Sequence, residues 1–191
     1  MDTDFAAFDF IIQPGWQNSP PEHWQSHWQQ LLGAQRVGNR EWFAPQLHDW
    51  LQGLEAAVAA AGKPVVVIAH SLGCATVAHY AARHGKRLAG ALLVAPADVE
   101  RGNAPAQLQP FAPLPESALP FPSLVVASDS DPFSLPLRSV RMATRWQSRL
   151  RWLPQAGHIN VASGHRQWEE GLVYLRELIA DIRSGSVQSA A

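Results

Sequence analysis

The sequence predicts an α/β fold: a three-layer αβα sandwich on a mostly parallel sheet. Three observations predict it. Short apolar runs alternate with longer segments of helical period along most of the chain. The runs at Val65–Ala69 and Ala91–Ala95 are apolar throughout, as strands covered on both faces are. Glycine, proline and serine mark the junctions between the two kinds of segment.

The elements follow in order. FDFIIQP (Phe8–Pro14) reads as a short buried strand stopped by Pro14-Gly15. Ser19–Ala34 reads as a helix with Ser19 as N-cap and prolines in its first turn. Trp24, Trp28, Leu31 and Leu32 recur at helical spacing on one face. Arg36–Gly38 is a candidate short strand. Ala44–Gly62 is a second helix, ending on Gly62 as a C′ residue. Val65–Ala69 is a strand, residues 72–84 a helix, and Ala91–Ala95 a strand. Pro96–Pro122 follows, with seven prolines and spaced apolar residues (Leu108, Phe111, Leu114, Leu119, Phe121) that suit a packed wall of a pocket. Leu124–Ser128 is a strand, Ser134–Gln147 a helix, and Arg149–Pro154 an alternating strand suited to a sheet edge. Arg166–Arg183 is the last helix, with Trp168, Leu172, Leu175, Leu178 and Ile179 on one side. Residues 1–183 form one domain, and the small polar stretch 184–191 reads as a disordered tail.

Composition narrows the function classes. At 47% hydrophobic residues, burial can drive folding of a 191-residue chain. A formal net charge of -1 argues against a nucleic-acid groove or a polybasic membrane surface. No apolar run approaches the ~20 residues that cross a bilayer, and MDTDFAAFDFIIQP lacks the basic start of a secretory signal. The lone Cys74 offers no internal disulfide, so the expected setting is reducing and cytoplasmic.

In parallel sheets, ligands bind beyond the carboxyl ends of the strands. The residues to examine there are Pro14-Gly15-Trp16, His70-Ser71-Leu72, Pro96-Ala97-Asp98, Asp129-Ser130-Asp131 and Gly157-His158. Ala69-His70-Ser71-Leu72-Gly73 is small-x-Ser-x-small between a buried strand and a helix, the pattern of a nucleophile elbow. A tight turn lifts the serine oxygen above the sheet and brings backbone against backbone two residues to either side, where only small side chains fit. The helix that begins there directs its N–H groups at the site, making Leu72 N–H an oxyanion donor. The plainer reading of Ser71 is a helix N-cap.

A nucleophilic serine needs a base, and the base an orienting acid, in the chain order Ser, acid, His. His158 follows the last strand and is the candidate base. His165 is its rival, whereas His70 neighbours Ser71 and is expected to turn away from it. Asp131, stiffened by Pro132, is the candidate acid, and Asp129 and Asp98 are its rivals. Gly15-Trp16 is placed to supply a second oxyanion N–H from Trp16, which reads equally well as a core aromatic. His23 and His27 stand four apart, but Trp24 occupies the place where a zinc-protease motif needs Glu. Neither a metal nor a cofactor is expected, though one of these histidines is free to line the cleft. Cys74 is expected to be packed.

Together PGW…HWQSHW, VVVIAHSLGCATVAHYA, FAPLP…LPFPSLVVASDSDPF and AGHIN resemble small single-domain α/β-hydrolases of the retinoblastoma-binding-protein-9 and YdeN type, over roughly residues 7–180. The resemblance implies a serine hydrolase without a large cap domain and with a Ser-Asp-His triad at Ser71, Asp131 and His158. The retinoblastoma-binding motif L-x-C-x-E is not reproduced, since Thr76 stands where Glu is required in Leu72-Gly73-Cys74-Ala75-Thr76. No protein partner is carried over. The expected substrate is a small-molecule ester or amide. The alternatives are thioesterase- or haloperoxidase-like use of the same triad, and a binding module that keeps the fold but turns nothing over.

Overall fold

The structure, a computed structural model, describes residues 5–85 and 87–188. Six strands form one sheet: β1 (Asp9–Gln13), β2 (Gln35–Arg36), β3 (Val65–His70), β4 (Gly90–Val94), β5 (Ser123–Ala127) and β6 (Arg149–Trp152). All pair in parallel in the order β2-β1-β3-β4-β5-β6. The five helices are α1 (Trp24–Leu32), α2 (Leu47–Ala60), α3 (Leu72–His84), α4 (Pro136–Trp146) and α5 (Leu172–Gln188).

Alternation along the central strands divides the core in two. Phe10, Ile12, Val66, Ile68, Leu92, Val94, Leu124 and Val126 face α1 and α5, where they meet Trp24, Trp28, Leu175 and Leu178. Their neighbours Ile11, Val67, Ala69, Leu93 and Val125 face α2, α3 and α4. Burial on both faces is the physical reason these strands read as unbroken apolar runs. The edge strand β6 is only half covered: Leu150 and Arg151 are half-buried, and Arg149 and Trp152 are exposed.

Several boundaries move. Helix α1 starts at Trp24, with His23 rather than Ser19 as N-cap, and the His23 imidazole accepts from the Gln25 N–H (3.2 Å). Ser19 instead donates its hydroxyl to Gln25 Oε1 (2.7 Å). The buried stripe of α1 is Trp24, Gln25 and Trp28, and Leu31 points outward. Gly62 is not a left-handed cap. Helix α2 ends at Ala60, its C-cap Ala61 is in extended backbone, and the Gly62 N–H is held by Asp9. Arg166–Trp168 precedes α5 as a loop, because Trp168 takes φ +48° and stacks on Trp28 (5.6 Å between centroids). Helix α5 continues to Gln188, past the Ser184 start of the expected tail, whose residues 189–191 lie outside the described residues. Among the described residues, no helix is long and apolar enough to cross a membrane.

The chain moves from β1 to β2 on one side, then returns through α2 to place β3 on the other side of β1. The crevice at the carboxyl ends of β1 and β3 is therefore the switch point where open parallel sheets bind ligands. Gln25 spans its floor, donating to Gln13 O (3.3 Å) and Ile68 O (3.0 Å), the carbonyls where the two strands diverge.

Candidate active site

Ser71 closes β3 and opens α3 with φ 55° and ψ -122°. A side chain in that region carries strain of about 1–3 kcal/mol, which the surrounding packing holds in place. A Cβ on Gly73 would stand 2.4 Å from Gln13 O and 2.7 Å from Pro14 O, backbone atoms that cannot yield. The Ser71 N–H is fixed to Val94 O (3.0 Å). Ser71 stands at the N-cap position of α3, but its side chain makes no cap bond. Its Oγ lies 2.8 Å from Nε2 of His158.

His158 sits between two left-handed residues, Gly157 (φ 55°) and Ile159 (φ 46°), which turn the loop after β6 back over the sheet. Serines after β5 anchor this loop: Ser128 Oγ accepts from the Ala156 N–H (3.0 Å) and Ser130 Oγ from the Gly157 N–H (3.0 Å). The Trp24 indole donates to Ile159 O (2.9 Å). Both Asp131 oxygens lie within 3.0 Å of His158 Nδ1. A carboxylate there accepts the Nδ1 proton, which leaves Nε2 as the acceptor for the Ser71 hydroxyl.

The rivals are elsewhere. Asp98 is held by Arg138 through two bonds (2.8 and 2.9 Å). Asp129 is exposed and accepts from the Gln155 N–H (2.8 Å). His165 bonds Ser163 and lines a separate hollow with Pro21 and His27. His70 lines the same cleft as Ser71, where its Nε2 donates to His158 O (2.9 Å) and its ring lies 4.8 Å from the His158 ring. Cys74 is buried, and burial pushes its thiol well up, so it packs rather than reacts. Among the described residues, no three His, Cys, Asp or Glu side chains gather as a metal site.

Gly15 is pressed against the elbow. A Cβ there would stand 2.8 Å from Ser71 Cβ, 3.0 Å from His70 O and 3.3 Å from Leu72 N. The bare backbone at Gly15 thus keeps open the space beside Ser71 and the Leu72 N–H. Among the described residues neither the Leu72 nor the Trp16 N–H has a hydrogen-bond partner. Trp16 is half-buried: its indole donates to Phe43 O (3.1 Å) and its ring walls the cleft. Arg36 clamps the same loop through Asn18 Oδ1 (2.9 Å) and Ser19 O (3.3 Å). Neither Arg36 nor Gln25 carries a motif, and only long-range packing reveals them.

The cleft over Ser71 measures about 650 Å³, with walls from Trp16, Leu108, Phe133 and Val161. The proline-rich segment supplies part of this wall through Ala97, Arg101, Pro105 and Leu108, while Phe111, Leu114 and Phe121 pack into the core beneath.

Two buried histidines adjoin the site. Burial, aided by Arg36, holds the His23 imidazole down at about 3. Burial also pushes His70 well below its ordinary value, with His158 and His23 adding to the effect. Both stay neutral in the folded protein while the unfolded chain takes up protons near the ordinary value of ~6.5. A depressed folded pKa means that stability is lost as pH falls from about 6.5 toward the folded value. His23→Asn keeps a capping side chain but removes the titration. Urea unfolding at pH 7 and pH 5 is expected to show an acid-induced loss smaller by about 2 kcal/mol in this variant than in the wild type. An unchanged difference would mean that His23 titrates alike in both states.

An all-parallel sheet with a serine raised on a strained strand-to-helix bend, backed by an imidazole and a carboxylate, defines an α/β-hydrolase. The chain belongs to the serine hydrolase family, whose model matches residues 10–177. A YdeN-like hydrolase from Pectobacterium atrosepticum is 32% identical with a TM-score of 0.83, covering 94% of each chain. The ydeN gene product of B. subtilis is 20% identical with a TM-score of 0.74, over 92% of this chain and 100% of that one. Est1E from Butyrivibrio proteoclasticus, 15% identical with a TM-score of 0.66 over 98% of this chain and 90% of that one, shares the fold. No curated protein matches the chain at comparable significance.

Proposed function

We propose that this hydrolase cleaves small carboxylic esters through an acyl-enzyme on Ser71. The observation that carries the reading is the continuous path from Ser71 Oγ through His158 to Asp131, with bonds of 2.8 and 2.9 Å. His158 Nε2 takes the hydroxyl proton as Oγ bonds to the acyl carbon. The carbonyl electrons move onto oxygen, where the N–H groups of Leu72 and Trp16 receive the charge. The C–O bond to the leaving group then breaks, and His158 returns the proton to the departing alcohol. Water repeats the sequence in reverse and frees the acid. Asp131 keeps the imidazole in the accepting tautomer and stabilises its charged form. Amides are the harder substrates of the same machinery.

The cleft volume of about 650 Å³, with no separate cap domain among the described residues, favours modest acyl groups. With 4-nitrophenyl esters of rising chain length, kcat/KM is expected to peak at short to medium chains. Mass spectrometry of a slow-substrate reaction should show one acyl group on the peptide containing Ser71. Turnover without a Ser71 adduct, or no turnover of any ester, would remove this reading. An ester-inert binding module would show the latter.

A further inference from the structure

We infer that the cleft selects esters whose leaving group carries a carboxylate, and that Arg101 receives it. The inference rests on the reading of Ser71 and His158 above. Among the described residues that line the cleft, Arg101 alone is an Asp, Glu, Lys or Arg. The nearby acids are engaged elsewhere: Asp98 and Glu100 both accept from Arg138. Among the described residues, no carboxylate is in ion-pair contact with Arg101. Its Nη1 donates to Asp98 O (2.9 Å), which orients the guanidinium without neutralising it. A guanidinium presents five donors in a planar fork suited to a carboxylate, and this one faces a largely apolar cavity that holds no counter-charge.

Its position says which half of the ester bears the charge. The Phe133 ring packs edge-on against His158, with centroids 4.6 Å apart, and the Arg101 guanidinium carbon lies 5.3 Å from the Phe133 centroid. Laid end to end, these two contacts put the guanidinium carbon within about 10 Å of the imidazole centre. The leaving oxygen must pass His158 Nε2 to collect its proton, so the leaving group departs on the imidazole side. There Phe133 offers an apolar platform, with the Arg101 guanidinium over its ring. An aryl or short alkyl alcohol ending in a carboxylate spans that distance.

The test compares 4-acetoxybenzoate with 4-acetoxybenzamide on the same protein preparations, so that any loss of folded protein cancels in the ratio. In the wild type kcat/KM is expected to favour the carboxylate by about tenfold or more, as a charge-assisted bidentate contact does, and the preference should shrink with added salt. Arg101→Gln should bring the ratio close to one, and Arg101→Lys should keep part of it. A wild-type ratio near one, or a ratio that Arg101→Gln leaves unaltered, overturns the inference. So does a charge preference confined to the acyl half, read from 4-nitrophenyl hemiglutarate against 4-nitrophenyl butyrate. A second arm needs no chemistry: calorimetry of 4-hydroxybenzoate and 4-hydroxybenzamide binding to Ser71→Ala, with and without Arg101→Gln. If neither ester is hydrolysed, the ester-cleavage reading fails, and this arm still decides for or against Arg101.

Discussion

Ser71→Ala is expected to abolish labelling by a fluorophosphonate probe and to lower kcat/KM for a small ester by about 10⁴-fold or more. The substitution removes one oxygen and little else. Alanine keeps the Cβ, so the bend at φ 55° retains its strain. The neighbours that enforce the turn, Gly15, Gly73 and Val94, touch backbone or Cβ rather than Oγ. The cleft and the Leu72 and Trp16 N–H groups also stay in place, so residual binding should survive. Activity-based labelling and initial rates check this directly. Equal labelling of variant and wild type would take Ser71 out of the reaction.

Asp131→Asn is expected to lower kcat by about 10³- to 10⁴-fold with KM changed little. The two side chains are nearly the same size, but an amide NH₂ facing Nδ1 reverses the preferred tautomer. Nδ1 then accepts, Nε2 carries the proton, and the imidazole can no longer take one from Ser71. Buried Asp131 also accepts from the Phe133 N–H (2.8 Å), a bond the amide oxygen can preserve, so the loop should hold. Asp129→Asn is the matching control, because among the described residues exposed Asp129 hydrogen-bonds only to Gln155. Steady-state kinetics of the pair decides. A large loss in Asp129→Asn with Asp131→Asn near wild type would reassign the acid.

Much of this architecture was legible in the chain. Val65–Ala69 and Ala91–Ala95 announced central strands because burial on both sides removes any reason for a polar residue. The elbow was legible because a tight bend restricts its neighbours to small side chains, as the Gly73 contacts show. The edge position of Arg149–Trp152 showed in its alternating sequence, although burial along the strand does not follow that alternation. Helix starts were less legible. Ser19 has the chemistry of an N-cap, yet tertiary contact recruits its hydroxyl to Gln25, and His23 caps instead. Trp168 fits a helical stripe by spacing, but its stacking on Trp28 holds it in a left-handed turn.

Local pattern by itself determined the order of strands and helices, the raised serine and the short list of candidates for its partners, because these depend on sterics and burial within a few residues. Only the tertiary structure brings Asp131, rather than Asp98 or Asp129, to His158, and His158, rather than His165, to Ser71, because each is plausible in its own loop and contact depends on which loops meet. It also set the contacts of Gln25, Arg36 and His70, whose partners lie on other elements. No local pattern encodes a contact closed by the packing of the whole sheet.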